Sequence, residues 1–448
     1  MQQIKLFIAM QQRFLLFLLL VSSLTIHAQS TVSTWNLETC INYALQHNIQ
    51  VQQAIIGVES SRIDLLAAKA ARMPSLNGAV SQTFSNSKVP TLDNHYVNQS
   101  QLSGRYSLSA GLVLFDGNQI SKNIQQQRLQ VSSNELTVQQ TKNSIVVAIT
   151  QAYLQILYDN ESVKTDQQTL SASEAQLKQS KQLFDAGSIA SNDYAQVETQ
   201  YSTDKYTLTV AENSLQQDIL ALKQLLELGI NDSFQPYYPT LTNDEVLQPV
   251  PDLQTVYQNT LATRPEMKNS QLSVQMATIA YQKDKGAYWP TLSLSGSIGT
   301  GNQYNSNEKF SAQLNNNFSQ SIGLTLSIPI LDNRQVRSAV EKAKLNIQNA
   351  QLSLTATQKD LLTSVESLYQ NLVSAQSKYV AAVQQQKAAQ ISYSLVEDQF
   401  NLGMRNTVEL LTAKTTLLAA QQQVLQAKYA SVLNLKLLNF YQNIPITL

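Results

Sequence analysis

The sequence predicts an α+β membrane protein, built as a tandem repeat of long coiled-coil helices and β-hairpins. Three observations lead to this prediction. The chain repeats its own pattern at a fixed offset, it holds two long segments without glycine or proline, and shorter segments ahead of these alternate apolar with small polar residues. A fixed offset indicates duplication, segments free of glycine and proline indicate helix, and strict alternation indicates strand.

The repeat is clearest in two short turns. The stretch "FDAGSIASNDY" begins at Phe184, and "FNLGMRNTVEL" begins 216 residues later at Phe400. Further pairs at this offset are Gly187 with Gly403, Leu37 with Leu253, Pro74 with Pro290, Asp116 with Asp332, Gln119 with Gln335 and Tyr153 with Tyr369. Only 13 glycines and 10 prolines occur in the chain, so their matched positions favour a tandem duplication.

The beginning of the chain, residues 1–28, has the pattern of a secretory signal peptide. Lys5 and Arg13 precede the apolar run "FLLFLLLV", and a short stretch after it ends at Ala28. This order of basic, apolar and small residues is typical of a cleaved signal. The alternative is a membrane anchor helix, but the apolar run is too short to span a bilayer. No later run of about 18 apolar residues follows, so we expect an exported chain without a transmembrane helix.

Two segments, 119–183 and 335–399, are expected to form very long helices. Neither contains glycine or proline, and both are rich in Gln, Ala, Leu, Ser and Lys. At a rise of about 1.5 Å per residue, each helix would be roughly 100 Å long. Because such a helix extends beyond any globular core, we expect it to pack in a coiled coil or a helical barrel.

Each long helix is expected to end in a tip and turn back, at 184–192 and at 400–406. Gly187 and Gly403 suit the left-handed position that commonly follows a helix C-terminus. The Ser, Asn, Asp and Thr residues after them are typical N-cap residues. The return helices are therefore predicted at 193–228 and 407–443.

A strand pattern precedes each long helix, in the predicted hairpins 74–115 and 290–331, each of which is expected to turn at a polar loop, 86–101 or 302–317. In "YSLSAGLVLFDGN" and "SIGLTLSIPILDN" the alternation indicates one apolar and one small polar face. A half-buried soluble sheet is the alternative, but the chain offers no globular core to cover the apolar face. Strands of about 9–12 residues fit a tilted membrane strand. The residues expected to face the membrane are Tyr106, Leu108, Leu112, Ile322, Leu324, Leu326 and Ile328.

The remaining segments complete the two repeats, 29–228 and 252–448. Each repeat is expected to begin with one helix, at 36–72 and at 252–288. Residues 229–251 hold four prolines and are predicted to be an equatorial linker between the repeats. Four strands cannot close a membrane barrel, since the smallest have about eight. Hairpins from several subunits must therefore combine.

The composition argues against several classes of function. Basic and acidic residues balance at 31 each, so no basic excess indicates nucleic acid binding. One cysteine and three histidines are too few for a metal cluster or a Cys/His catalytic pair. Cys40 is expected to be a buried apolar residue, and the scattered Asp and Glu lie on predicted helices at a spacing typical of solvent-exposed faces. We therefore expect no enzyme activity, no metal and no cofactor.

The order of these elements resembles the TolC family of outer membrane efflux proteins. The resemblance rests on "LFDGNQIS" and "ILDNRQVRS" after the hairpins, and on "FDAGSIASNDYAQVETQ" and "FNLGMRNTVELLTAKTTLLAAQQQ" at the tips. It covers 36–443 and implies a homotrimer with a 12-stranded outer membrane β-barrel and a periplasmic α-helical barrel. The implied function is the exit duct of a tripartite efflux or type I secretion system. Its implied partners are a periplasmic adaptor and a proton-driven or ATP-driven inner membrane pump.

The resemblance also implies a periplasmic gate at the tips. Arg405 would hold the closed tip by bonding to Asn192 and Asp193. Phe400 stands where the family has a tyrosine, so one closing hydrogen bond would be missing. From the residues alone, Arg405 is also compatible with a solvated turn residue.

Two further features of the tips follow from the resemblance. Glu409 matches one of two acidic rings in the family and Thr412 replaces the second, so cation selectivity should be weaker here. Alternatively, Asp193 and Glu409 only offset the helix macrodipole, which contributes about 0.3–1 kcal/mol without a gating role. The residues expected at the adaptor-docking turns are Gly187, Ser188, Gly403 and Met404.

Two other functions stay open from the sequence. An adhesive coiled-coil stalk with a small barrel anchor should run outward without doubling back, whereas both repeats here turn at a glycine. A soluble periplasmic enzyme would need a catalytic cluster, and none is evident. A drug, a metal ion and a secreted protein all remain candidate cargoes.

Overall fold

The structure is a computed structural model that describes residues 34–90, 95–304 and 306–448. The signal peptide predicted at 1–28 lies outside these described residues. The helices are α1 (Leu37–His47), α2 (Ile49–Ala70), α3 (Gln119–Asp185), α4 (Ser191–Leu225), α5 (Asn243–Val246), α6 (Leu253–Thr263), α7 (Pro265–Gly286), α8 (Phe310–Asn316), α9 (Gln335–Asn401) and α10 (Thr407–Tyr441). The strands are β1 (Ser75–Pro90), β2 (Tyr96–Phe115), β3 (Thr291–Gln303) and β4 (Ser319–Ser327).

The long helices α3 and α9 have 67 residues each, which corresponds to a length of roughly 100 Å. Each one packs along the 35-residue return helix that follows it, α4 or α10. Buried residues of α3 recur every seven positions, at Asp159, Asp166, Ser173 and Ser180. This period is that of a coiled-coil seam. Among the described residues, no helix combines the length and the apolar character needed to cross a bilayer.

The helices expected at 36–72 and 252–288 are each divided in two. Asn48 has an extended backbone, and its side-chain Oδ1 accepts a hydrogen bond from the Gln50 N–H at 2.9 Å, so it ends α1 and caps α2. Its counterpart 216 residues later is Arg264, which is also extended because Pro265 follows it. Pro265 is then the first residue of α7, a position that proline favours.

The four strands form one antiparallel sheet in the order β1-β2-β3-β4. The central pair joins the repeats, because β2 belongs to the first and β3 to the second. The first hairpin is longer than expected: β1 reaches Pro90 and β2 begins at Tyr96, so most of the loop predicted at 86–101 is strand. Within the described chain, the outer edges of β1 and β4 have no strand partner.

The second hairpin differs from the prediction in two places. The segment expected to be a polar loop, 302–317, contains the short helix α8. Strand β4 ends at Ser327, so Ile328 lies beyond the strand in which it was predicted to face the membrane. Pro329 follows directly and has no N–H for the ladder, which explains why pairing stops there.

The main hydrophobic core lies midway along the helices, where the linker between the repeats wraps around them. Ile149, Tyr153 and Ile156 of α3 are at most 1% exposed in this core. The Tyr153 hydroxyl donates to the Tyr237 carbonyl at 2.5 Å, and the linker pairs with the chain at Trp35. A buried tyrosine therefore fixes the linker to the long helix.

Tyr153→Phe is expected to destabilise the protein by about 0.5–1.5 kcal/mol, because the Tyr237 carbonyl would lose its side-chain donor in a part-buried hydrogen bond. Tyr369→Phe is the matched control: it is the same change at the repeat-equivalent position, where the tyrosine is half-buried and no hydroxyl hydrogen bond is found among the described residues. Urea unfolding of both variants measures the difference. Equal midpoints would contradict the role assigned to Tyr153.

Candidate functional site

The sheet has one apolar face and one polar face. In the ladder Leu108 lies opposite Ile298, and Leu294 lies opposite Leu324. Directly opposed residues share a face. The even-numbered residues of β1, β3 and β4, and those of β2 as far as Leu112, therefore lie on one side of the sheet, and the odd-numbered residues of these stretches lie on the other. We call these the apolar face and the polar face. The polar face consists mainly of serine, threonine and glycine.

Apart from α8, whose Leu314 carbonyl accepts a hydrogen bond from the Thr300 hydroxyl at the end of β3, no part of the described chain covers the apolar face. Ile322, Leu324 and Leu326 are 81%, 63% and 57% exposed, and Leu108 is 39% exposed. Tyr106 and Leu112 are half-buried against their neighbours. These six residues share the face on which the sequence placed them. The surface is suited to lipid or to another subunit, since a monomeric soluble protein rarely leaves so large an apolar patch uncovered.

A polar cluster interrupts the apolar face midway along the first hairpin, beside the end of β3. The Gln82 side-chain N–H donates to the Tyr106 hydroxyl at 3.1 Å, and this hydroxyl donates to Asn302 Oδ1 at 3.3 Å. Gly104 lies beneath them, and a Cβ there would come within 2.3 Å of Asn302 Oδ1. The sequence does not indicate this cluster, because only the pairing of β2 with β3 brings Gly104 opposite Asn302.

The two tips have the same backbone construction. Gly187 and Gly403 have φ of 71° and 74°, a conformation that glycine adopts without strain. The next N–H reaches back five residues, from Ser188 to the Leu183 carbonyl and from Met404 to the Gln399 carbonyl, both at 2.8 Å. Both glycines and the residues after them, Ser188 and Met404, are exposed.

Arg405 contacts its own tip rather than the first one. Its Nη1 forms an ion pair with Glu409 Oε1 at 2.5 Å, and its Nε donates to Gln399 Oε1 at 2.9 Å. These two are its hydrogen-bond partners within the part of the chain that the structure describes. The predicted contacts with Asn192 and Asp193 are not formed within one chain.

Glu409 combines a capping role with this ion pair. Its carboxylate accepts from the Asn406 N–H while the Asn406 side chain accepts from the Glu409 N–H, which is a capping box. The Asn406 N–H, and then the Arg405 guanidinium, lower the pKa of the Glu409 carboxyl. Glu409 therefore stabilises the beginning of α10 in the way that the macrodipole interpretation expects, and this role does not require a gate.

The structure places two of the other predicted gate residues on a groove between α4 and α10. Asn192 and Thr412 line this groove together with Gln196 and Val408. Asp193 lies in the first turn of α4, and Phe400 is half-buried near the end of α9. The two tips of one chain thus lie side by side, with Arg405 and Glu409 on the second.

A buried ion pair joins the two repeats behind the tips. Lys414 Nζ lies 2.8 Å from Asp204 Oδ2, and both side chains are only 6% exposed. Ser173 hydrogen-bonds to both of them, and Gln200 donates to Asp204 Oδ1 at 2.8 Å. The pair therefore ties α10 of the second repeat to α3 and α4 of the first.

Acidic residues also lie inside the first coiled coil, where the sequence analysis had expected solvent-exposed faces. Asp159 is 6% exposed, and its Oδ2 has no hydrogen-bond partner among the described residues. Burial, followed by the neighbouring Asp218, raises the pKa of Asp159 to about 7. Burial and Asp204 likewise raise the pKa of Asp166. The expectation of solvent exposure was wrong here because these residues fall on the heptad seam.

The second repeat has small apolar residues at the equivalent positions. Ala375, Ala382 and Ala389 stand 216 residues after Asp159, Asp166 and Ser173, and all three alanines are buried. Ala420 corresponds to Asp204 and is fully buried. Among the described residues, the buried carboxyls are thus confined to the first repeat. Over the residues that the structure describes, no group of three or more His, Cys, Asp and Glu side chains is placed to hold a metal ion.

Known proteins share the sequence pattern and the architecture described above. The family described as "Outer membrane efflux protein" matches residues 40–227 and 256–439. The outer membrane protein TolC of Salmonella enteritidis is 25% identical over 434 residues, which span 95% of this chain and 85% of that protein.

Solved structures agree with this. CusC, described in terms of transmembrane channel formation, superposes with a TM-score of 0.77 at 18% identity, covering 94% of this chain and 96% of its own. The CmeC outer membrane channel of Campylobacter jejuni gives 0.77 at 16% identity, covering 92% and 87%. At these identities the likeness shows the fold, and the predicted fold class is confirmed.

Lys414→Met should destabilise the protein by about 3–5 kcal/mol, because Asp204 would stay buried without a countercharge. Lys428→Met is the matched control: Lys428 pairs with Glu161 between α10 and α3, but the side chains are 14% and 24% exposed. We expect a smaller loss there. The double variant Lys414→Met/Asp204→Leu should recover most of the stability in urea unfolding. No recovery would show that Lys414 acts through packing rather than charge.

Stability should fall as the pH rises from about 4 to about 7. The pKa of Asp159 is raised in the folded state from its ordinary value of 3.8 to about 7, so the folded protein binds the extra proton and loses this stabilisation as the proton leaves. Asp159→Asn should flatten this part of the melting-temperature profile, whereas Glu198→Gln, an exposed change on α4, should not. An unchanged slope in Asp159→Asn would contradict the assignment.

Proposed function

The chain belongs to the outer membrane efflux protein family, and we propose that it forms the exit duct of a tripartite efflux or type I secretion system. It is an outer membrane protein, as its relatives are. The duct is a passive conduit: cargo passes through it, and the energy comes from an inner membrane pump. The observation that carries this proposal is the four-stranded sheet with one uncovered apolar face.

We infer a homotrimer from the same sheet. Three copies would supply 12 strands, which is enough to close a membrane barrel, whereas four are not. An even number of strands per copy lets β4 of one copy pair with β1 of the next in an antiparallel sense, so that alternation continues around the ring. The open edges of β1 and β4 would then be paired, and the apolar face would meet lipid.

The helices would form the periplasmic part of the duct. Leu345 and Leu352 of α9 are 63% and 69% exposed, and Ile391 and Leu395 of the same helix are 55% and 57% exposed. Apolar residues exposed along one long helix support packing against another copy in a helical barrel. The chain's low charge content, 14%, suits a tunnel wall that attracts few solutes strongly.

The tips would act as the periplasmic gate. Arg405 uses two of its N–H groups within its own tip, and a guanidinium has five such donors. The remaining donors support contacts with Asn192 and Asp193 when three copies converge. Phe400 adds no hydroxyl to this set, and Thr412 adds no carboxylate beside Glu409. The exposed turns at Gly187, Ser188, Gly403 and Met404 are the surface that we assign to the adaptor.

We expect Arg405→Ser to raise single-channel conductance several-fold in a planar lipid bilayer, because the change removes the basic group that would hold the tips together. Wild-type protein should form a small pore that is mostly closed. Arg337→Ser is the matched control, since Arg337 also pairs with a glutamate four residues later, Glu341, at the other end of its long helix.

The three possible results separate the parts of this proposal. Higher conductance in Arg405→Ser alone supports both the duct and the gate. Equal conductance in all three proteins keeps the duct and contradicts the gate at Arg405. A correctly folded trimer that forms no pore at all would contradict the duct and favour an adhesive stalk.

A further inference from the structure

One basic side chain, Arg105, stands alone on the polar face of the sheet. It is an odd-numbered residue of β2, and it is the one charged residue on that face among the described strand residues. Lys88, the other charged strand residue in this part of the chain, is even-numbered and lies on the opposite face. Within the described strands, the polar face therefore carries one charged residue, Arg105, and its charge is basic.

The neighbours of Arg105 leave its charge unbalanced. Directly opposite it lie Ser81 on β1 and Gly301 on β3. Its same-face neighbours along β2 are Ser103 and Ser107. The side chain is exposed, and it forms no ion pair within the described residues. Because Gly301 has no side chain to cover it, the guanidinium is directed into the space on the polar side.

We propose that Arg105 makes the barrel lumen select for anions, so that the duct favours cargo bearing carboxylate or phosphate groups. This inference rests on the trimeric duct proposed above. If the apolar face meets lipid, the polar face lines the lumen. Three copies then place three guanidinium groups at one level of the lumen, surrounded by serine and glycine.

The electrostatic potential of three arginines at one level would reach across most of the barrel lumen at moderate salt concentration. Twelve strands about 4.8 Å apart and tilted by about 40° give a barrel with a backbone radius of about 12 Å. The Debye length is about 10 Å at 0.1 M salt and about 3 Å at 1 M. The ring's potential therefore extends over most of the lumen at 0.1 M and is confined to its wall at 1 M. Arginine rings in pores attract anions for this reason.

The test is ion selectivity in planar bilayers under a potassium chloride gradient, with the native tip and in the Arg405→Ser background. Arg105→Gln should lower the chloride-to-potassium permeability ratio about two- to fivefold at 0.1 M salt. Arg105→Glu should lower it further, and both effects should shrink at 1 M salt. Lys88→Gln, which removes a basic residue of the same hairpin from the opposite face, should leave the ratio unchanged.

A thiol variant gives a second readout. Cys40, the single cysteine of the chain, is fully buried, and burial raises its pKa to about 12, so its thiol is unreactive. In Arg105→Cys a cationic methanethiosulfonate should therefore restore the anion preference, and an anionic one should lower it further.

The outcomes are distinguishable. Pores whose permeability ratio is the same for wild type, Arg105→Gln and Arg105→Glu would overturn the role of Arg105 while keeping the duct. A change of equal size in Lys88→Gln would also overturn it, since the effect would then follow total charge rather than the face. A folded trimer without pores would overturn the duct itself.

Discussion

Most of the apolar face of the four-stranded sheet is covered by no other part of the described chain, and the remaining architecture depends on this fact. A sheet with two open edges and an exposed row of Ile and Leu is unstable in water as a separate unit. Pairing with further strands would satisfy the open edges, and contact with lipid would cover the apolar face. In the trimer proposed above, folding of the sheet and assembly of the subunits would therefore be coupled.

The helices form a very long structure that has a small hydrophobic core relative to its length. The fully buried residues concentrate midway along α3 and α10, where the linker between the repeats packs around them. Toward the tips the buried apolar clusters become smaller, and the buried Lys414–Asp204 pair lies beside one of them. The region of greatest rigidity thus lies away from the proposed gate. The tips have fewer buried contacts, as expected of a segment that must move.

Much of the fold could be predicted because its signals are local. The long helices coincide with segments free of glycine and proline, and the sheet faces follow from period-two alternation. The breaks at Asn48 and Arg264 were missed, although Pro265 and an N-cap asparagine were visible, because the flanking residues favour helix on both sides. The helix α8 was missed because it is short and lies in a polar segment.

The site was harder to predict, for a physical reason. Arg405 has its partners in its own tip within one chain, while the contacts that would close a gate lie between copies. The buried carboxyls of α3 were assigned to solvent because a heptad line of Asp and Ser resembles an exposed face. Which side of a long helix is buried depends on its neighbours, and a single helix sequence of this polarity does not indicate them.

The difference between the two repeats also bears on the history of the chain. In a ring made of six first halves, Asp204 would be buried without Lys414, which belongs to the second half. In a ring made of six second halves, Ala420 would stand at the position of Asp204, and Lys414 would be buried without a countercharge. Neither half could replace the other without leaving a buried charge unpaired. Loss of one half of the chain would therefore have to be accompanied by a compensating substitution at this pair.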